Sequence, residues 1–326
     1  METPEDRYDH LTDRISTLYD EGLQPVALDL LDAADSDLEP WAAELAHLRA
    51  CLLGSIHETT EALTTLQQAS AAGAWWAEEI LTDDDDLAAL QYLPAFQQIL
   101  ETSRARRVTA EDPPLVQLPQ WSSDPTPASE AGPAEAGPDD AGPGEAVGRH
   151  LCGVVVALHG AGQRARHAMR DWAGVLELGY ALVGVESSQL MSPAYRTWPD
   201  PAEAAKDIAR ALDQLPAQLR ELPLIAAGFS AGGRVALNWA VEANPVPAGG
   251  AVVLAPALRG LPESAQNALS PASILIGTAD DLLEVVDDAE GQLAGLGFTV
   301  DRLPGLGHEF PQDLAARLEG LLPSCG

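Results

Sequence analysis

Lysine is almost missing from this sequence: Lys206 is the only one in 326 residues. Lysine and arginine together number 18 against 50 acidic residues, a formal net charge of −32 at pH 7. A surface of that sign repels phosphates, so nucleic acid and anionic membranes are poor partners. Cysteine is scarce too. Cys51, Cys152 and Cys325 lie far apart and form no CxxC pair. That pattern predicts reduced thiols in a cytoplasmic setting, with neither a disulfide framework nor a zinc site. No apolar run approaches the ~18–20 residues that span a bilayer, so no membrane span is expected. The charged stretch from Met1 to Asp13 lacks the apolar core of a secretory signal. Apolar residues are plentiful, at 46% of the chain. They suffice for buried cores, and the length suggests about two domains.

The acidity is uneven. Residues 1–118 hold 24 acidic and 6 basic residues, a net −18, whereas residues 150–326 hold 20 and 11, a net −9. The plain reading is a strongly solvated surface; a docking face for a basic partner is the functional one.

The first hundred residues read as helices. Leu11, Ile15, Leu18 and Tyr19 recur at helical spacing, as do Val26, Leu28, Leu30 and Leu31. At an offset of 35, Ala27, Leu28, Leu31 and Ala34 align with Ala62, Leu63, Leu66 and Ala69, each set preceded by a helix ending near Gly22 or Gly54. The period and the helix–turn–helix layout resemble tetratricopeptide repeats; a generic helical hairpin bundle fits nearly as well. The Asp83–Asp86 run reads as a helix cap with a solvated turn rather than a metal site. We assign residues 1–107 to this helical domain and 108–326 to a second one. The Ala/Gly/Pro-rich stretch at about 120–149 has no apolar periodicity and is expected to be a disordered loop. Short strands are expected on both sides of it, at Leu115–Pro119 and from Leu151, which places it inside the second domain.

From Leu151 apolar strands alternate with amphipathic helices. Strands are expected at Val154–Leu158, Ala181–Val185, Leu224–Gly228, Ala251–Ala255, Ser273–Gly277 and Phe298–Leu303, with helices near 164–178, 201–220, 231–243, 282–296 and 312–322. The pattern predicts an α/β class domain: a mostly parallel sheet with helices on both faces and ligands outside the carboxyl ends of its strands.

One of those ends carries Gly228-Phe229-Ser230-Ala231-Gly232, of the form G-x-S-x-G. An apolar strand runs into it and an apolar-faced helix (Val235, Ala236, Trp239, Ala240) runs out. A sharp turn there lifts the serine oxygen above the sheet, and the glycines remove side chains where strand and helix nearly touch. Ser230 is therefore the candidate nucleophile. A serine on such an elbow takes its partners in chain order, acid and then histidine, each after a later strand. Only His308 among the histidines lies beyond Ser230, in Gly305-Leu306-Gly307-His308 after the last strand. Thr278-Ala279-Asp280-Asp281 supplies two carboxylates after the preceding strand. Asp280, three residues past Gly277, is preferred to Asp281, which is expected to cap the next helix. The oxyanion donors are expected to be the backbone N–H groups of Ala231 and Ala161, with Gly162 or Gln163 as alternatives to the latter. His159 is read as holding that loop by hydrogen bonds. Glu186–Met191, Tyr195 and Trp198 are candidates for a pocket wall, or for packing the loop onto the sheet.

Together, Leu158-His159-Gly160-Ala161-Gly162, the serine pentapeptide with Gly233, Gly277-Thr278-Ala279-Asp280 and Gly305-Leu306-Gly307-His308 resemble the α/β-hydrolase superfamily. The likeness is to its carboxylesterase, phospholipase and dienelactone-hydrolase branch, over residues from about 113 to 326. Ala231 departs from the glutamine common after the serine in the phospholipase/carboxylesterase branch, and only about seventeen residues separate Ala255 from Ser273, which leaves no room there for a large lid. The resemblance implies a serine hydrolase acting on a small-molecule carboxylic ester or thioester through an acyl-enzyme, with no metal and no organic cofactor. Two alternatives stand beside it: a peptidase on the same fold, and a scaffold whose helices bind a partner protein, or a second copy, beside a vestigial hydrolase domain.

Overall fold

The computed structural model describes residues 3–34, 36–107, 115–118 and 151–324. The expected boundary at residue 108 and the Ala-Gly-Pro stretch at 120–149 lie outside these described residues. The chain divides into two compact units, one comprising Met1–Ala110 with Gln189–Arg196, the other Glu111–Ser188 with Thr197–Gly326.

The first unit is helical: α1 (Pro4–Asp20), α2 (Gln24–Asp32), α3 (Ala42–Ser55), α4 (Thr59–Ala71), the short α5 (Glu78–Thr82) and α6 (Pro94–Arg106). Thr3 and Asp6 close a reciprocal capping box at the start of α1, with Pro4 in the first turn, so the chain's first helix begins where its N–H groups find acceptors. Gly22 and Gly73, at φ +73° and +113°, end α1 and α4, a backbone state that glycine adopts freely. Ala27, Ala50 and Ala62 are fully buried, and their small side chains let neighbouring helices close up. The offset of 35 relates α2 to α4. As expected, α3 ends near Gly54, one residue past it at Ser55, and a Cβ on Gly54 would stand 2.1 Å from the Asp86 carbonyl oxygen. A 3₁₀ turn at Ser36–Trp41 leads into α3, and after α4 a second one at Asp85–Leu90 lies between α5 and α6; this second turn is capped by Asp84, whose Oδ1 accepts the Asp86 N–H at 3.0 Å.

The second unit is a seven-stranded sheet: β1 (Leu115–Gln117), β2 (Gly153–Leu158), β3 (Tyr180–Val185), β4 (Leu224–Phe229), β5 (Gly250–Leu254), β6 (Ala272–Gly277) and β7 (Thr299–Leu303), in the order β1-β3-β2-β4-β5-β6-β7. All pairs are parallel except β1 with β3. Strands β2, β3 and β5 are buried at every residue, as a sheet covered on both faces requires. The covering helices are α7 (Ala165–Asp171), α8 (Pro201–Asp213), α9 (Ala217–Arg220), α10 (Ser230–Glu242), α11 (Leu283–Gly295) and α12 (Leu314–Leu321). Two expected helices are broken. The stretch near 164–178 splits after Asp171 into α7 and a 3₁₀ turn, and the stretch 201–220 splits at Pro216, which cannot donate to the preceding turn. Cys152 is disulfide-bonded, which corrects the expectation of three reduced cysteines; Cys51 is a free, buried thiol. Among the described residues no helix is long and apolar enough to cross a membrane.

Strand β2 sits between β3 on one side and β4 on the other. The chain therefore leaves its carboxyl end in one direction and returns for β4 in the opposite one. Open α/β sheets take their ligands at such a reversal, and the serine pentapeptide and the small-residue loop both emerge there, at the carboxyl ends of β4 and β2.

Candidate active site

Ser230 stands between β4 and α10 with φ +53°. A serine holds that left-handed state only when its surroundings over-determine it. The two glycines show what does so. A Cβ on Gly228 would lie 2.5 Å from the Gly232 carbonyl oxygen, and one on Gly232 would lie 2.3 Å from the His159 oxygen and 2.4 Å from that of Leu158. Strand, helix and the end of β2 are in backbone contact there, so no side chain fits. The Ser230 carbonyl accepts the Ala257 N–H at 3.0 Å, which ties the elbow to the loop after β5. Ala231 is buried in the first turn of α10, where N–H groups have no partner within the helix and favour negative charge.

Asp280 and His308 are brought together. His308 Nδ1 lies 2.9 Å from Asp280 Oδ2 and 3.1 Å from Oδ1, and the Asp280 side chain is fully buried. Asp280 Oδ1 also accepts the Leu282 N–H at 2.8 Å, so the carboxylate is fixed from two sides. Asp281 is exposed. The loops carrying the pair are joined by backbone: Thr278 N–H donates to Leu303 O (2.9 Å), Ala279 N–H to Leu306 O (2.9 Å), and Gly305 N–H to Thr278 Oγ1 (2.8 Å). Gly277 permits that approach, since a Cβ on it would lie 2.0 Å from the Leu306 oxygen. The His308 ring stands 4.7 Å, centroid to centroid, from Phe229, the residue before the serine. Phe310 packs on Phe229 at 4.8 Å and edge-on to Trp172 at 6.0 Å. Phe229 and Phe310 thus anchor the histidine loop against the elbow. Neither has a role legible in the sequence beyond its place, Phe229 directly before Ser230 and Phe310 two residues after His308.

The loop after β2 is built around His159. Its Nε2 accepts the Ser187 N–H at 3.2 Å, which leaves the ring proton on Nδ1 facing the Gly160 carbonyl at 2.7 Å. Trp198 Nε1 donates to the His159 carbonyl at 2.8 Å, and Gln163 Oε1 accepts the Gly160 N–H at 2.9 Å. Ala161 is exposed at the tip of this turn, before Gly162 at φ +76°. Of the candidate wall residues, Glu186 is buried, pairs with Arg164 Nε and accepts the Ala165 N–H at 2.5 Å, capping α7. Ser188 N–H donates to Asp207 Oδ2 at 2.8 Å; burial raises the Asp207 pKa against the opposing pull of its backbone bond and Arg210. Gln189–Arg196, which includes Met191 and Tyr195, packs within the helical unit. Met191 O accepts the Ala77 N–H at 2.5 Å, and buried Glu44 binds the Ala194 N–H at 2.9 Å together with the Ser192 hydroxyl.

Two family models match the chain: the A/B hydrolase-like N-terminal domain at residues 7–111 and the serine aminopeptidase S33 family at residues 149–295. Among solved structures, an uncharacterized protein from Bacillus cereus is similar at 19% identity and a TM-score of 0.47, covering 96% of each chain. A carboxylesterase from Bacillus cereus, also 19% identical, aligns over 52% of this chain and 86% of its own with a TM-score of 0.42. A lidless a/b serine hydrolase from Xanthomonas campestris aligns at 19% identity over 53% and 84%, with a TM-score of 0.41. No curated protein matches the sequence. The architecture is the α/β-hydrolase fold preceded by an all-helical region, as expected from the sequence.

Proposed function

Starting from an α/β-hydrolase fold, we propose that this protein is a serine hydrolase that cleaves a carboxylic ester through an acyl-enzyme. One observation carries the reading: buried Asp280 holds His308 by Nδ1 in the same unit in which Ser230 is lifted on a left-handed turn. Ser230 Oγ attacks the ester carbonyl carbon while His308 Nε2 takes its proton. The N–H groups of Ala231 and Ala161 receive the oxyanion that forms. When the tetrahedral species collapses, the C–O bond to the alcohol breaks and the imidazolium returns the proton to the leaving oxygen. Water, deprotonated by the same imidazole, then releases the acid and restores Ser230. Asp280 keeps the proton on Nδ1 and stabilises the imidazolium throughout. A thioester would follow the same path with a thiolate leaving.

The match of residues 149–295 to a serine aminopeptidase family favours a second reading, cleavage of an amino-terminal peptide bond by the same residues. An aminopeptidase must anchor a protonated amine. The buried carboxylates near the carboxyl ends of β3 and β6 are engaged: Glu186 with Arg164 and α7, Asp207 with Arg210 and Ser188, Asp280 with His308. Asp281 and Glu309 are exposed, where an ion pair contributes only ~0–1 kcal/mol. The ester reading therefore stands first.

A fluorophosphonate probe is expected to label Ser230, and the Ser230→Ala variant is expected to take no label and to lose p-nitrophenyl ester turnover by ~10⁶-fold in kcat. A folded chain that neither labels nor turns over any ester of a chain-length series would refute the proposal. Faster turnover of aminoacyl anilides than of esters would move the assignment to the peptidase.

A further inference from the structure

The helical unit contains a second cluster of reactive side chains, far from the serine in sequence and unused by acyl transfer. His47 and Cys51 are one turn apart on α3, and Asp84 caps the 3₁₀ turn that packs on that helix. Cys51 Sγ lies 3.5 Å from His47 Nε2 and 3.0 Å from Asp84 Oδ2, and those two atoms are 3.8 Å apart. We propose that His47, Cys51 and Asp84 form a zinc-binding site, with the fourth coordination position taken by water.

The donor spacing fits that ion. Zinc holds sulfur at ~2.3 Å and nitrogen or oxygen at ~2.0–2.2 Å in tetrahedral geometry, which separates neighbouring donors by ~3.3–3.6 Å. The three separations seen here bracket that range, so small side-chain rotations complete the set. The donors are also the right kind, since a thiolate, an imidazole and a carboxylate together suit a borderline-soft cation. A thiolate and a carboxylate would neutralise the dication, so the occupied cluster carries no net charge into a partly buried place.

The surroundings are built to hold it. Asp84 Oδ1 is committed to the Asp86 N–H at 3.0 Å, which aims the other oxygen, Oδ2, at the thiol. That turn reaches the helix only because residue 54 is glycine; a Cβ there would collide with the Asp86 backbone. Asp86 is itself held by the Tyr19 hydroxyl at 2.8 Å. His47 and Asp84 remain 19% and 27% exposed in their side chains, which leaves an entry path. Burial first, then the charge of Asp84, raises the Cys51 pKa, while burial lowers that of His47. A neutral imidazole needs no deprotonation to ligate. On binding, the Zn–S bond forms, the thiol proton leaves for solvent, and the His47 ring proton that faces the Ile80 carbonyl at 3.1 Å moves to Nδ1.

Cobalt(II) reports on such a site through its thiolate-to-metal absorption, and the full chain, stripped with a chelator, is the sample. The expected result is one equivalent of Co²⁺ bound with that absorption, one proton released per ion, and displacement by equimolar Zn²⁺. Cys51→Ser should lose the absorption. His47→Gln, which keeps a donor for the Ile80 carbonyl, should weaken binding beyond the ~100-fold typical of second-shell changes. Both variants are checked for native helix content by circular dichroism. Absence of the thiolate absorption in the native chain would overturn the proposal, as would its persistence in folded Cys51→Ser or native affinity in His47→Gln. Ester turnover plays no part in the readout.

Discussion

Asp280 and Asp281 are chemically identical neighbours, and their surroundings separate them. The Asp280 side chain is fully buried, accepts the Leu282 N–H and faces His308 Nδ1, whereas Asp281 is exposed to water. A carboxylate that fixes the imidazole tautomer is worth ~10⁴-fold in kcat when replaced by its amide. Asp280→Asn is therefore expected to lose about that much ester turnover while remaining folded, and Asp281→Asn to keep its native rate. Steady-state kinetics on one p-nitrophenyl ester decides it, and equal losses in both variants would remove Asp280 from its proposed place. The preference for Asp280 was legible in its offset from the strand-ending glycine. What selects it physically was not: the Ala279 N–H bond to Leu306 joins residues on different loops, and no local pattern announces it. Phe310 was hidden for the same reason, because its partner Trp172 comes from a distant helix end.

Two glycines on the acid and histidine loops look alike in sequence and differ in the structure. Gly277 closes β6 against the histidine loop, where a Cβ would lie 2.0 Å from the Leu306 oxygen and 2.8 Å from that of Gly307; a Cβ on Gly307 would meet nothing within 4 Å. Gly277→Ala must push the histidine loop away. Overpacking of this kind costs ~1–3 kcal/mol, and a displacement near 1 Å at a catalytic group costs ~10²-fold in rate. We expect Gly277→Ala to lower kcat by about that factor with KM less affected, and Gly307→Ala to match the native chain in rate and thermal midpoint. Native kinetics in Gly277→Ala would mean that the joined backbones do not position His308. The strands themselves were readable, because buried parallel strands show as continuous apolar runs. Loop allegiance was not. Gln189–Arg196 reads as part of the sheet unit, yet its anchor is Glu44, 150 residues earlier than Ala194, and periodicity carries no trace of so remote a partner.

For the whole molecule the governing quantity is the net charge of −32. Salt acts on it in two opposing ways. It weakens surface pairs such as Arg104 with Glu78 and Arg302 with Asp287 and Glu290, which are open to solvent and contribute little. It also screens the repulsion among the unpaired carboxylates, which outnumber the basic groups throughout the chain and oppose compactness. The screening length falls from ~10 Å at 0.1 M to ~3 Å at 1 M, so repulsion between charges farther apart than neighbours is removed while contacting pairs keep part of their attraction. The balance favours the folded state in salt. Raising potassium chloride from 0.1 to 1 M is expected to raise the thermal midpoint by a few °C, since ~1 kcal/mol moves it about 2–4 °C in a unit of this size. Chloride is the right salt because sulfate would stabilise any protein by exclusion from its surface. Differential scanning calorimetry across the two concentrations measures it. A midpoint that falls with chloride would show that the ion pairs outweigh the self-repulsion.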